Sequence, residues 1–540
     1  MSDMSIKSPT NLELSKKQNK VKIVGFHSGH DTSYCILENG VPIIHEEKER
    51  ISRIKMDEGD GLSFFFSRYK QDDIKYFTFG SWGARDGTNK EICFSQEADD
   101  RMRKIALLNE GAYFEFGHHT CHAANSFYTS NFEEALIIVV DGGGREAGNI
   151  RTGLTIHEGK KNKINKIKVF DLREINLGGL YFKATKYIFG LSVRAPNGDQ
   201  AGTVMAMATF GKPKYQEMFL DFNKNWSALR SISRSSEQER FNVAASLQAF
   251  IEKKFHSYIS NFINKSDHEN LCLGGGVALN CVMMGKIKKW FPQIKNIYID
   301  PIPYDAGLSL GAARYLWHNI LGNPRIDSIQ NMSPYLGRIY SEAEVKKALA
   351  SFSDSIKFKK TSSNEVLDKI ANQKIVSIFG GRSESGRRAL GNRSIIADPR
   401  SEKIKAVINE KVKHRQWFRP LSPAILEEEM SKWFEDPIFN PYMSFAVKFK
   451  KEVKSKIPAV VHYDGTGRFQ TVNSKLNPWF HNFLTKWAKM TGIPILINTS
   501  FNDREPIVES PEDAIKCFLK TEIDYLYFYD YGYLVENINT

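Results

Sequence analysis

Apolar positions along the chain fall mostly into short dense runs, with longer helical periods between them. Val21–Phe26, Ser33–Leu37 and Val41–His45 are β-rich, and Asn39-Gly40 between the last two is a favoured dipeptide for a two-residue hairpin turn. An antiparallel hairpin is therefore predicted to open the fold. Ala135–Val140 runs into Asp141-Gly142-Gly143-Gly144, and Leu271–Leu273 runs into Gly274-Gly275-Gly276, so two further strands are expected to end in glycine turns. Gly178–Leu191 and Asn242–Phe262 carry apolar residues at helical spacing, which makes the class mixed α/β. Around Asn331–Ser355 the pattern changes. A proline-containing connection and a short charged helix, Glu342–Phe352, precede a new strand at Lys374–Phe379. A boundary is expected between 325 and 360, dividing the chain into a polar leader at 1–20, a first domain at 21–345 and a second at 355–540. No internal repeat is legible.

Composition narrows the class. The chain has 540 residues, 41% hydrophobic, 12% aromatic and 25% charged, which is the balance of a folded protein of two to four domains. No apolar run approaches the roughly 18 residues of a membrane span, and the start shows no signal-peptide pattern, so a cytoplasmic protein without a membrane partner is expected. Six scattered cysteines, Cys35, Cys93, Cys121, Cys272, Cys281 and Cys517, form no C-x-x-C pair and read as reduced thiols. The net charge of +13 admits anionic partners. The lysine-rich stretches at 16–22 and 160–168 lack interleaved aromatics, which argues for solvated segments and against a nucleic-acid groove.

Three groups of residues could do chemistry. In His118-His119-Thr120-Cys121-His122 a helix starting at 118 would place His118 and His122 one turn apart on one face, the spacing for sharing a metal. Asp141 at a strand end could add an oxygen ligand. Helix-capping histidines are the plainer alternative. The second group is a series of glycine turns: Gly25, Asp141–Gly144, Gly274–Gly276 with Asn280, and Asp305-Ala306-Gly307 with Gly311. Such turns expose backbone N–H groups to phosphate. Their order is similar to that of the actin and sugar-kinase type of split ATPase fold. The third group is the arginine-rich run from Gly381 to Ser394, with Lys413, Arg419, Arg468 and Asn498-Thr499-Ser500-Phe501-Asn502 further on, which suits a small polyanion.

Nine strings together resemble the O-carbamoyltransferase family that modifies antibiotics and nodulation factors: GHDTSY at 29–34, EEKERISRIKMDEG at 46–59, HHTCHAANSFYTSNFEEA at 118–135, GGGVALNCVMMGKI at 274–287, DAGLSLGAA at 305–313, RRALGNRSIIADPR at 387–400, KHRQWFRPLSPAIL at 413–426, GTGRFQTV at 465–472 and INTSFNDREPIV at 497–508. They span about residues 21–530. The resemblance implies an N-terminal domain of the actin-like ATPase (ASKHA) type, similar to the tRNA threonylcarbamoyl-transferase subunit, and a smaller C-terminal YrdC-like α/β domain. It implies that the second domain makes carbamoyl-adenylate from carbamoyl phosphate and ATP, with Mg, and that the first moves the carbamoyl group to a hydroxyl-bearing acceptor. It puts metal ligands at His118, His122, Asp141 and Asp305, for Fe(II) foremost with Mn(II) and Zn(II) as alternatives. Contacts to carbamoyl phosphate and ATP fall on Arg388, Lys413, Arg419, Arg468 and Ser500, and contacts to nucleotide or carbamoyl-adenylate on Gly274, Gly275, Gly276 and Asn280.

The chain departs from the family pattern at four places. Arg387 stands where proline is usual, Thr203 where lysine is usual and Ala206 where glycine is usual, and the segment 497–508 is one residue short. An acceptor alcohol needs help to lose its proton, and His30 beside Asp31 is the candidate base, with a turn histidine as the alternative. The rival functions are a tRNA-modifying transferase of the same superfamily and a small-molecule kinase on the actin-like fold.

Overall fold

Residues Lys22–His27 (β1), Ser33–Glu38 (β2) and Val41–Glu47 (β3) form the expected opening hairpins, and Tyr76–Gly80 (β4) and Ala112–Phe116 (β5) add parallel strands on the other side of β1. These assignments come from a computed structural model that describes residues 20–80, 95–146, 150–326 and 329–539; the leader expected at 1–20, but for Lys20, and Cys93 lie outside the described residues. The turn from β2 to β3 is built as its sequence requires: Asn39 and Gly40 both take positive φ, 50° and 83°.

A second sheet is made of Glu134–Glu146 (β6), Ile150–Lys160 (β7), Lys163–Asp171 (β8), Asn270–Gly274 (β9) and Asn296–Ile299 (β10). The first sheet runs β3-β2-β1-β4-β5 and the second β10-β9-β6-β7-β8. In each, the first strand starts two antiparallel pairings on one side and two parallel ones on the other. The topology is thus duplicated without a repeat legible in the residues. The pairing pattern demands only β-forming runs, which β1 (KIVGFH) and β6 (EALIIVVDGGGRE) satisfy with different residues.

Between the sheets lie two buried helices. His118–Thr129 (α1) is buried along all 12 residues although half of them are polar. Its polar groups are satisfied inside. Asn125 donates to Asp300 at 2.8 Å and accepts from the buried Arg314 at 2.6 Å, Ser126 donates to the Leu273 carbonyl at 3.0 Å, and Thr129 donates to Asp300 at 3.0 Å. The long helix Glu237–Asn264 (α2) contains the expected 242–262 and starts earlier, where the Ser236 hydroxyl caps the Glu239 N–H. Leu308–Arg314 (α3) packs on α1. The helix expected at 178–191 is shorter: an α-turn over Leu177–Lys183 widens to a π-turn over Ala184–Ile188.

The third sheet has eight strands: Ile356–Lys360 (β11), Val376–Phe379 (β12), Arg393–Ala397 (β13), Ser422–Leu426 (β14), Gln470–Val472 (β15), Ile495–Ser500 (β16), Tyr525–Phe528 (β17) and Tyr533–Asn537 (β18), in the order β11-β18-β17-β12-β13-β16-β14-β15. The short charged helix before it is Glu342–Ser351, with Ser341 and Glu344 forming a capping box. Strand β11 precedes the strand expected at 374. Four of its five residues are exposed, so it carries almost no apolar signal. One apolar cluster runs from Leu136 through Phe250 to Phe445 and Phe518, so the second and third sheets share a core, while the first sheet packs its apolar residues into separate clusters around Phe26 and Leu310. Cys35, Cys121, Cys272, Cys281 and Cys517 are buried free thiols. Among the described residues no helix is long and apolar enough to cross a membrane.

The approach of α3 to α1 is close because Gly311 has no side chain. A Cβ there would fall on the Cys121 carbonyl oxygen and 2.7 Å from its carbon. Gly311→Ala is expected to lower the unfolding free energy by about 1–3 kcal/mol, the usual cost of overpacking. A denaturant midpoint equal to that of the parent would show that the helices can separate freely.

Candidate metal centre and arginine cluster

Four side chains converge where the first two sheets face each other. His118 and His122 leave the first turn of α1 on one face. Asp141 stands where the β6–β7 pairing shifts register between Val140 and Gly144, and Asp305 opens the 3₁₀ turn Asp305–Gly307 that leads into α3. Asp141 Oδ2 lies 3.0 Å from His118 Nε2 and 3.2 Å from His122 Nε2, and the two Nε2 atoms are 3.2 Å apart. Asp305 Oδ1 is 3.6 and 3.7 Å from the same nitrogens. The four ligand atoms lie within 4.8 Å of one another, and all four residues are buried. Asp141 Oδ1 accepts from Gly142 N at 2.6 Å and from Gly276 N at 3.2 Å, so the turn after β9 orients this carboxylate. Gly275 has φ +87°, and a Cβ on it would strike the Val140 carbonyl.

The residues fit a divalent metal. Two imidazole nitrogens crowd onto one carboxylate oxygen, a donor set that one small cation satisfies and that protons alone satisfy poorly. His118 Nδ1 and His122 Nδ1 are buried with no partner among the described residues. Electrostatics agree. Burial pulls the His122 imidazole down, but Asp141 and Asp305 outweigh it and push it up to about 9. Burial raises both carboxyls, and the histidines more than reverse this, holding Asp141 and Asp305 well below the usual carboxylate range.

His30 sits beside this centre. Its Nδ1 is 3.0 Å from Asp31 Oδ2 and its Nε2 is 3.5 Å from Asp305 Oδ2, with the side chain 35% exposed. Its imidazole is shifted: burial lowers it, Asp305 and then Asp31 raise it, and it ends near 9. His27 was missed. It is the last residue of β1, three residues before His30 and just ahead of the 29–34 string, its Nε2 is 4.0 Å from Asp305, and burial lowers it to about 4 in spite of that carboxylate.

The arginines gather separately. Arg388 has no hydrogen-bond partner among the described residues, and Arg468 donates to the Ser422 hydroxyl at 2.9 and 3.2 Å. Arg419 donates to the Thr203 hydroxyl. Threonine here accepts a hydrogen bond where a lysine would add another positive charge. Arg415, also missed, is held by Asn409 at 2.8 Å and the Pro420 carbonyl at 3.2 Å. Burial lowers all four, and neighbouring guanidiniums add to it for three: Arg388 falls to about 9, Arg419 to about 10 and Arg415 downward as well, while Arg468 is lowered by burial alone. Arg468 and Arg388 both act on the Cys281 thiol, which burial nevertheless raises, so the cluster faces the segment after Gly274–Gly276. Asn280 there is committed: its amide pairs both ways with Gln248 at 3.0 Å and caps Met283 N at 3.1 Å. Lys413 is also committed, donating to the Ser500 carbonyl at 2.8 Å and hydroxyl at 3.2 Å, to the Asn502 carbonyl at 2.6 Å and to the Asn502 side chain. These bonds clamp the loop in the shortened 497–508 segment. Ala206 is buried, and nothing further in the structure explains it.

Two family profiles match, one described as carbamoyltransferase N-terminus over residues 101–314 and the other as carbamoyltransferase C-terminus over 367–534. Nodulation protein NolO of Bradyrhizobium diazoefficiens is 34% identical over 437 residues, covering 75% of this chain and 76% of that protein. The chain belongs to the carbamoyltransferase family. An uncharacterized protein of Synechocystis is 32% identical over 469 residues, 76% of this carbamoyltransferase and 74% of the relative. Nodulation protein U of Sinorhizobium fredii is 29% identical over 556 residues, 89% and 94%. Among solved structures, full-length HypF in its phosphate- and nucleotide-bound form aligns with a TM-score of 0.34 at 13% identity, covering 57% of each chain. The carbamoyltransferase is an enzyme by family.

Two outcomes are expected at the metal centre. His122→Ala should lose bound divalent metal by elemental analysis, since one of four ligands is gone; unchanged content would return the histidines to a structural role. The raised His122 pKa also sets a pH dependence. It stabilises the metal-free fold below about pH 6.5, and this contribution disappears as pH rises through about 9. Below pH 9 an incoming cation must displace that proton, so apparent metal affinity should rise with pH up to about 9 and then level off. Calorimetry in buffers of different ionisation enthalpy measures the proton release; none at pH 7 would contradict a protonated His122.

Proposed function

We propose that this carbamoyltransferase is an ATP-dependent O-carbamoyltransferase of the cytoplasm, working through two half-reactions in the segments 21–345 and 355–540. The observation that carries this reading is the separation of two charge imbalances of opposite sign: buried carboxylates with histidines around Asp141 and Asp305, and the guanidinium cluster of Arg388, Arg415, Arg419 and Arg468. Guanidiniums that lower one another's pKa call for a polyanion. ATP, carried with Mg, and carbamoyl phosphate supply one. There water cleaves carbamoyl phosphate to carbamate and phosphate, and a carbamate oxygen then attacks the α-phosphorus of ATP, breaking its bond to the β-phosphate so that pyrophosphate leaves. Arg388, without a hydrogen-bond partner among the described residues, is the guanidinium that would hold phosphate oxygens. Arg419 and Arg468 hold others from the Thr203 and Ser422 hydroxyls, and Lys413 with Ser500 shapes the loop beside them.

In the second half-reaction the carbamoyl-adenylate lies against Gly274–Gly276, where the lack of side chains allows a close approach to the backbone, with the Gly276 N–H held by Asp141 and Asn280 holding the turn. His30 accepts the proton of the acceptor hydroxyl as its oxygen attacks the carbamoyl carbon, and AMP leaves. His118, His122, Asp141 and Asp305 would hold a divalent metal, Fe(II) in preference to Mn(II) or Zn(II). When bound, that ion supplies charge to offset the two carboxylates and to polarise a ligand oxygen, and the offset returns His30 toward the ordinary imidazole range.

The test separates the halves. Arg419→Ala should abolish pyrophosphate formation from ATP and carbamoyl phosphate, while AMP release from supplied carbamoyl-adenylate continues. His30→Ala should do the reverse, keeping pyrophosphate formation and lowering transfer by roughly 10²-fold, the usual effect of losing a general base. Loss of both activities in either folded variant would refute the division.

A further inference from the structure

The segment Glu384–Arg387, in the loop between β12 and β13, is bonded residue by residue to the first part of the chain. Arg50 donates to the carbonyls of Glu384 at 3.2 Å and Gly386 at 2.6 Å, the Ser385 hydroxyl is 2.9 Å from His45 Nδ1, and Gly386 N donates to Glu47 at 2.7 Å. Arg387 completes the series. Its Nη2 donates to Asp31 Oδ1 at 2.7 Å, and its guanidinium lies 4.3 Å from the centroid of the Tyr304 ring, whose hydroxyl donates to Glu47 at 2.6 Å. The Arg387 side chain is 23% exposed and that of Asp31 3%.

Asp31 has two carboxylate oxygens, and each has one charged partner: Oδ1 takes Arg387 and Oδ2 faces His30 Nδ1 at 3.0 Å. Its backbone is in the left-handed region, φ 61°, an uncommon place for a non-glycine residue that its surroundings must maintain. A carboxylate fixed at one oxygen presents the other in a fixed direction. The ring that bonds there then has its far nitrogen aimed, and His30 Nε2 is the atom that faces Asp305. We propose, on the reading of His30 given above, that Arg387 is a positioning residue for carbamoyl transfer: through Asp31 it holds the His30 ring in the direction from which Nε2 meets the acceptor hydroxyl. Its neighbour Arg388 points into the guanidinium cluster, so one rigid dipeptide spans both half-reactions. Proline, the residue usual here by resemblance, could make neither the ion pair nor the ring contact.

The experiment measures AMP release from supplied carbamoyl-adenylate with excess glycerol as the hydroxyl probe. Arg387→Ala should lower kcat by about 10–100-fold, the range expected when a reacting group is displaced by about an ångström, while KM for carbamoyl-adenylate changes less than about threefold. Arg387→Lys, which keeps the charge, should recover part of the loss. Arg387→Gln keeps much of the bulk without the charge and gives the same reading should the alanine variant fail to fold. Asp31→Asn combined with Arg387→Ala should be no worse than the poorer single variant, since both act on one ring. Arg382→Ala is the control for a merely structural bridge. Arg382 crosses the same divide to the carbonyls of Ile43, Leu336 and Gly337, and its loss should leave kcat within about threefold. Equal losses in the Arg382 and Arg387 variants, or a rise in KM alone, would overturn the proposal. If His30→Ala loses transfer while Arg387→Gln does not, the positioning role falls and the base assignment stands. If His30→Ala transfers normally, both fall.

Discussion

The structure turns on two buried negative charges, Asp141 and Asp305, held together where two sheets meet. Each carboxylate has left water, and its charge is tolerable only if opposing charge is close. The surroundings are arranged accordingly. Histidines approach from α1 and from the β1–β2 connection, and backbone N–H groups of Gly142 and Gly276 point at Asp141. A polar helix such as α1 can lie wholly in the interior because every second residue has a task there. The duplicated topology serves the same need: the connection after β1 brings His30 to Asp305, and β6 carries Asp141 part-way along its length.

The guanidinium cluster is the mirror case. Its members lower one another's pKa instead of finding carboxylates, and Thr203 and Ser422 offer only hydroxyls. Positive charge without a carboxylate partner in the interior is what the proposed polyanion would balance. The 384–388 segment lies between the two imbalances and touches both, so the chemistry of one site is mechanically close to the other without any large rearrangement of the sheets.

Much of this was legible in the sequence. The glycine turn after β9 and the four-residue spacing of His118 and His122 are local signals that the sequence carries, whereas β6 does not end at Asp141 as expected but runs on through its glycines to Glu146. Contacts that depend on distant segments could not. Nothing near Asp31 announces Arg387, which is 356 positions away. Nor does composition separate Arg388, which has no hydrogen-bond partner among the described residues, from Arg393, which spends its donors on the carbonyls of Gly380, Gly381 and Asn392. Lys413 matched a ligand pattern, but it carries only three protons, and the 500–502 loop offers more than enough acceptors for them. The sheet duplication escaped because topology repeats where residues do not.

Strand β11 escaped for a different reason, and that reason bears on how the protein is made. Its partner β18 is the last strand, so Ile356–Lys360 waits for residue 533 before it can pair. At a synthesis rate of about 5–20 residues per second, the ribosome leaves this edge open for roughly 10–35 s. An open edge of apolar residues would be a template for other nascent chains. The sequence IKFKK places Lys357, Lys359 and Lys360 along it, and these remain exposed after closure. The lysines that hide the strand from a hydrophobicity reading are the same ones that let it wait unpaired on the ribosome without aggregating.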